Sequence, residues 1–211
     1  MLDCLADAVR GLPDGRRTDR VRHRLEDCYV SAFAMFYLQD PSLLEFQRRI
    51  QQQVQRNNLQ GVFGIETIPS DTQLREVLDW QKPEGITGVF RELLRRLQRS
   101  KQLERYRYLP EGFLITMDGS EYFNSENVNC RRCLRRTKSD GSTEYYHQIV
   151  QPAIVSPEIR QVLPLAPQFI RRQDGAGKQD SETEAGKRLV AGLRSEHPQL
   201  KGVVVGDSLY S

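Results

Sequence analysis

Four cysteines and three histidines are scattered over the 211 residues, the usage expected of a reducing compartment. No apolar run approaches the roughly 20 residues that a membrane span needs. Met1-Leu2-Asp3-Cys4 lacks the basic start and apolar core of a secretory signal. The formal net charge is only +3, so the total does not point to a polyanionic partner by itself. Several chemistries also lack their residues. Gly175-Ala176-Gly177-Lys178 does not have the GxxxxGK(S/T) spacing of a phosphate loop, and no proper strand feeds it. His23, His147 and His197 stand in unrelated contexts, and no cysteine has a convincing base, which argues against a Cys–His hydrolase. No helix-turn-helix is strong enough to claim base reading.

What is present is one pattern written twice. Gly112-Phe113-Leu114-Ile115-Thr116-Met117 is a largely apolar strand that runs straight into Asp118. Gly202-Val203-Val204-Val205-Gly206 does the same into Asp207. A carboxylate at the end of a buried strand is costly unless something compensates it, and a metal ion is the usual candidate. An Asp in this place also serves in many α/β proteins as the cap of the next helix. Two such acids, separated by other elements, favour a pair of carboxylates brought to one site by a sheet.

The order of elements divides the chain into residues 1–109, helical and basic, and residues 110–211, where strands appear. Apolar periodicity predicts helices over residues 19–38, 41–55, about 70–80 and 86–105, with Asp40 capping the second and a Ser70/Gln73 capping box opening the third. Residues 57–64 read as a loop. Arg16, Arg17, Arg20, Arg22 and Arg24 form a basic patch, and Arg91, Arg95, Arg96, Arg99 and Lys101 decorate the last helix. Such clusters are either a solvated helical surface or phosphate contacts with a nucleic acid. Further strands are expected over residues 143–155 and 161–166, antiparallel to each other across Ser156-Pro157-Glu158. Pro152 calls for an edge position or a bulge. A Ser181/Glu184 capping box starts a helix that ends before Pro198, and Val203 to Val205 reads as a strand buried on both faces.

Cys130-Arg131-Arg132-Cys133 is a CxxC, and His147 follows it. These three could supply part of a structural zinc site, which requires four ligands. No fourth is evident, and two free thiols on a loop is the reading the spacing favours. Arg131, Arg132, Arg135, Arg136 and Lys138 make the loop over residues 124–140 strongly basic and exposed, either lying on DNA or forming a solvated hairpin.

The sequence of elements (strand with Asp, two antiparallel strands, helix, strand ending in Asp) resembles the RNase H-like fold. At Met117-Asp118-Gly119-Ser120-Glu121-Tyr122-Phe123, Arg172-Gln173-Asp174-Gly175, Lys178-Gln179-Asp180-Ser181-Glu182 and Gly206-Asp207-Ser208-Leu209-Tyr210-Ser211, the chain is similar to DDE transposases of bacterial insertion sequences. Pro69-Ser70-Asp71-Thr72-Gln73-Leu74-Arg75 adds to the likeness. The resemblance implies an α/β (α+β) protein: a helical, DNA-binding module followed by an incomplete RNase H-like core of mixed sheet with helix. It implies that Asp118 and Asp207 are the first two acids of a catalytic triad and ligands of Mg²⁺, with Mn²⁺ as a substitute. Two such ions, about 3.5–4 Å apart, would serve strand cleavage and transfer. Lys178 or the nearby arginines would steady phosphates. The partners implied are DNA at transposon ends, and a second copy or a full-length transposase, in the bacterial cytoplasm on the nucleoid and without a membrane. The family's third acid, a Glu on a later helix, has no counterpart before Ser211, and neither Glu121 nor Glu182 takes that place. The expectation is therefore the front part of a transposase. The alternative is a catalytically inactive remnant that only binds DNA or inhibits the complete enzyme.

Overall fold

Short amphipathic stretches closed by hydroxyl caps build the first part of the computed structural model, which describes residues 2–17, 19, 21–65, 67–110, 112–172 and 181–207. Two compact units are present, Met1–Leu93 and Leu94–Ser211. The first contains α1 (Leu2–Arg10), α2 (Leu25–Tyr37), α3 (Leu43–Ile50), α4 (Gln53–Phe63) and α5 (Asp71–Asp79). The division falls inside α6 (Gly88–Arg99). Val9, Cys28, Ala34, Phe46, Leu59 and Leu74 form the centre of the first core.

Local chemistry explains where these helices differ from their sequence periodicity. α2 begins at Leu25 instead of Asp19, because Arg24 is extended (ψ 155°) and the guanidinium of Arg16 donates to the His23 carbonyl at 3.0 Å. The helix expected over residues 41–55 is two helices, since Gln52 is extended (ψ 136°) and opens α4. Ser42, and not Asp40, caps α3 by accepting from the Glu45 amide; Asp40 is instead a buried partner of Arg49. Residues 57–64 are the end of α4 and not a loop. Leu59 is buried there, and tertiary burial outweighs the weak helix propensity of Asn57, Asn58 and Gly61. Gly64 supplies the left-handed cap (φ 68°). The Ser70 cap is found as expected, accepting from Gln73. The helix expected over residues 86–105 is α6 alone, flanked by 3-10 turns at Pro83–Ile86 and Leu103–Tyr106.

The second unit is built on a mixed seven-stranded sheet: β1 (Arg107–Leu109), β2 (Gly112–Ser125), β3 (Leu134–Thr137), β4 (Thr143–Ser156), β5 (Ile159–Pro164), β6 (Gln168–Ile170) and β7 (Gly202–Val205), with α7 (Glu182–Glu196) between the last two. β2 and β4 run antiparallel from Leu114 opposite Val155 to Ser125 opposite Tyr145. β4 takes β3, β5 and β6 as further antiparallel partners. β7 lies parallel to β2. Across the middle of the sheet the order is β5–β4–β2–β7. Ser181 caps α7 by accepting from the Glu184 amide, and Ala185 and Leu189 bury its inner face with Leu134, Val150 and Ile170.

Pro152 sits in the central strand β4 and is fully buried, contrary to the expectation of an edge or a bulge. Its carbonyl accepts from the Leu165 amide at 2.9 Å, so its own nitrogen faces the same side. On that side β5 stops at Ala153 opposite Pro164, and β6 starts at Val150 opposite Gln168. The missing donor therefore falls in the gap between two partners.

β7 also departs from expectation. Val203, Val204 and Val205 are 46%, 36% and 45% exposed, and not buried on both faces. Among the described residues β7 pairs only with β2, and beside it lies an open groove of about 460 Å³ lined by Ile115, Val190, Leu193 and Val204. No helix among the described residues is long and apolar enough to cross a membrane.

Two glycines set the β2–β7 contact. Gly112 has φ 144°, and a Cβ on it would overlap the Lys201 carbonyl; a Cβ on Gly202 would crowd the Phe113 carbonyl. Gly112→Ala should therefore destabilise the second unit by more than about 1 kcal/mol. Urea unfolding measures this, and an unchanged midpoint would contradict the close approach.

Candidate functional site

Asp118 lies in β2 and Asp207 two residues beyond β7. The β2–β7 ladder keeps one offset from Phe113 opposite Gly202 to Thr116 opposite Val205, and the same offset separates Asp118 from Asp207. Continued by two residues, the ladder sets the two acids opposite each other on strands about 4.8 Å apart. Side chains alternate along β2. Met117 packs with Ala185 and Leu189 of α7, and a Cβ on Gly119 would run into the Glu182 carboxylate, so the odd-numbered positions face α7. Asp118 belongs to the opposite face, and Asp207 would join it if the alternation of β7 continued two residues past Val205. Both are exposed. The cost of a desolvated carboxylate, which first drew attention to Asp118, is not incurred. Two hard oxygen donors set opposite each other by a continued ladder would have a donor chemistry suited to Mg²⁺ or Mn²⁺.

Two further acids of the same region have structural partners. Glu182, in the first turn of α7, lies over Gly119 and accepts from Gln148 Nε2 at 2.7 Å. The absence of a side chain at Gly119, next to Asp118, was the one sequence signal for this close approach. Glu121 accepts from Asn124 Nδ2 at 2.8 Å and from Arg136 at 2.8 and 3.1 Å. The basic loop of residues 124–140 is largely a hairpin arm. β3 lies within it, Arg136 bridges Glu121 and Glu144, Lys138 meets Glu126, and Arg135 stacks over Tyr145. Arg131 and Arg132 are exposed in the CxxC turn that precedes β3. In the first unit the basic patch is likewise largely paired: Arg16 with Asp14, Arg17 with Asp19, and Arg24 with Asp27. Lys178, the loop of residues 173–180 and residues 208–211 lie outside the described residues.

The second constellation is drawn together more tightly. Cys130 Sγ and Cys133 Sγ are 3.6 Å apart, and His147 Nε2 lies 3.3 Å from the first and 3.4 Å from the second. The CxxC turn is closed by the Cys133 amide donating to the Cys130 carbonyl at 3.2 Å. The Cys130 amide donates to Cys133 Sγ at 3.1 Å, and the Arg132 amide to Cys130 Sγ at 3.3 Å. His147 arrives from β4. Its ring is held between Tyr122, stacked at 5.7 Å, and Phe123 at 5.6 Å. Two consecutive strand residues would normally point to opposite faces. Here the β2–β4 register shifts between Glu121 and Phe123, and this irregularity lets both rings reach one imidazole. Cys133 is buried and Cys130 exposed. Burial pushes the Cys133 thiol up; burial, then the charge of Arg132, pushes the His147 imidazole down toward its neutral form.

Comparison of the chain with family models, with curated proteins and with solved structures found no match.

The Glu121–Arg136 contact has a defined pH signature. Burial would raise the Glu121 carboxyl, but the hydrogen bonds from Asn124 and Arg136, and the charge of Arg136, outweigh it and hold it below its usual range. A depressed folded-state value contributes stability that is present above the unfolded carboxylate value, about 4.3, and is lost as pH falls through the folded value. Glu121→Gln should cost less than about 1 kcal/mol at neutral pH, because Arg136 is solvent-facing. The deficit should vanish in acid. Thermal unfolding of both proteins at pH 7 and pH 3 checks this; a deficit equal at both values would exclude an ionic contribution.

Proposed function

We propose that the second unit is an RNase H-like core of the DDE transposase type, acting on DNA phosphodiesters through a divalent cation held by Asp118 and Asp207. The observation that supports this reading is the strand order β5–β4–β2–β7. Three antiparallel strands are followed by a helix and a strand parallel to the first, and the β2–β7 ladder, continued two residues past its last pair of Thr116 and Val205, would bring the two acids opposite each other. Mg²⁺ in such a place supplies Lewis-acid stabilisation of phosphate oxygens and a lowered pKa for bound water. The chain's own contribution is geometric. β2 and β7 hold two carboxylates on one open face, which an extended substrate can approach. Glu182, lying over Gly119 on the α7 side and hydrogen-bonded to Gln148, braces the start of α7 against β2 and β4.

DNA is the partner that this reading requires, with the exposed Arg131 and Arg132 of the CxxC turn as cationic contacts. The pairing of Arg16, Arg17 and Arg24 with neighbouring acids makes the N-terminal patch a weaker phosphate contact than its composition implies.

The direct test is calorimetric titration of the protein with Mn²⁺. Wild type should bind, and Asp118→Ala and Asp207→Ala should each weaken binding at least about tenfold, with unchanged circular dichroism. Equal binding by all three would refute the assignment. A second expectation concerns DNA. Each neutralised phosphate contributes a salt slope of about −0.9 on double-stranded DNA, so affinity should fall steeply between 50 and 200 mM salt, on the order of tenfold or more. Salt-independent affinity would rule out a phosphate-led interface.

A further inference from the structure

Nothing in the proposed phosphodiester chemistry uses Cys130, Cys133 or His147, yet these are the most convergent group of metal-ligating side chains among the described residues. Their mutual distances carry information. A zinc ion with Zn–S of about 2.3 Å and Zn–N of about 2.0–2.1 Å in tetrahedral geometry separates its ligands by about 3.8 Å for two sulfurs and about 3.6 Å for sulfur and nitrogen. The observed edges, 3.6, 3.3 and 3.4 Å, lie within about 0.3 Å of those values. All three edges fit one face of a single tetrahedron.

Hydrogen bonding accounts for part of this arrangement, since the Cys133 thiol can donate to Cys130 Sγ at 3.6 Å and the Cys130 thiol to His147 Nε2 at 3.3 Å, but that chain leaves the 3.4 Å contact between Cys133 Sγ and Nε2 without a proton. His147 Nε2 has one lone pair when neutral, so it cannot accept both thiol protons. As a donor it could serve only one sulfur well. Each sulfur already receives a backbone amide, from Arg132 onto Cys130 and from Cys130 onto Cys133. A cation at the centre satisfies the two sulfurs and the imidazole together.

We propose that Cys130, Cys133 and His147 bind one Zn²⁺, with a solvent-derived fourth ligand on the exposed Cys130 side. Binding forms two Zn–S bonds and one Zn–N bond and releases the two thiol protons to solvent. Soft thiolates with one imidazole select zinc over Mg²⁺ or Mn²⁺, so this site is chemically distinct from the Asp118–Asp207 pair. The open vertex sets it apart from a closed four-ligand structural site, and its effect on the fold is local. The ion ties the turn between β2 and β3 to β4 through His147, and so fixes the turn that carries Arg131 and Arg132. The open vertex follows from the exposure of Cys130, and the aromatic clamp of Tyr122 and Phe123 fixes the imidazole plane before metal arrives.

The experiment uses the full chain under reducing conditions, loaded with Zn²⁺, desalted and measured by elemental analysis. Wild type should retain about one equivalent. Cys130→Ser and His147→Ala should each bind zinc at least about tenfold more weakly and fall below half an equivalent. Cys130 is exposed, so its variant should keep the wild-type circular dichroism. Replacement of zinc by Co²⁺ in the wild type gives a readout that needs no variant, and should produce the intense visible bands of tetrahedral thiolate coordination. Less than half an equivalent in wild type, retention undiminished in Cys130→Ser, or only the weak bands of octahedral Co²⁺ would each overturn the proposal. Loss of Mn²⁺ binding in Asp118→Ala with zinc retained would leave it standing.

Discussion

The parallel ladder between β2 and β7 is the contact on which the architecture of the second unit depends. An antiparallel neighbour can be reached by a tight turn, but a parallel one needs a crossover. α7 supplies that crossover, and its buried face is therefore tied to the same decision. The strands approach closely because Gly112 and Gly202 carry no Cβ at the point where a side chain would meet a backbone carbonyl. Once β7 is set beside β2, the offset of the ladder determines which residues beyond its end stand opposite each other. The proposed pairing of Asp118 with Asp207 follows from that offset continued two residues past Val205.

β2 does more than carry Asp118. Over its first half it packs Phe113, Ile115 and Met117 toward α7. Past the shift in register after Glu121 it turns two consecutive aromatic rings onto His147. A single long strand thus carries Asp118 of the proposed oxygen-donor pair and, past a bulge, the two rings that flank the proposed sulfur–imidazole site. The bulge is where the strand stops obeying alternation, and the second site needs that departure.

The strands were the more legible part of the sequence. Phe113 to Met117 and Thr143 to Val155 are apolar or β-branched enough to define themselves, and the turn at Pro157 forces the next strand to fold back. The Ser70 and Ser181 caps were readable for the same reason, since a hydroxyl three residues before its amide partner is a local matter. What local chemistry does not contain was missed. Leu59 makes residues 57–64 helical by being buried among residues distant in the chain. Pro152 is tolerated in a central strand because two separate partners happen to leave a gap beside it. The exposure of Asp118 and of β7 depends on what lies next to them in space. The CxxC was visible from spacing alone, but the distance from Cys133 to His147 is a consequence of β3–β4 pairing, with Leu134 opposite Tyr146. Loop composition gave no sign that the imidazole would be delivered to both sulfurs.

The measurement closest to the centre of this account is the register of β2 against β7 in solution. Backbone NMR on the full chain should show cross-strand contacts between the amide and Hα protons of Ile115 and Thr116 and those of Val204 and Val205, in the pattern of a parallel ladder. That result would set Asp118 and Asp207 opposite each other. A ladder shifted by one residue would turn one acid to the other face of the sheet, and an antiparallel or absent ladder would separate them altogether; either would contradict the account.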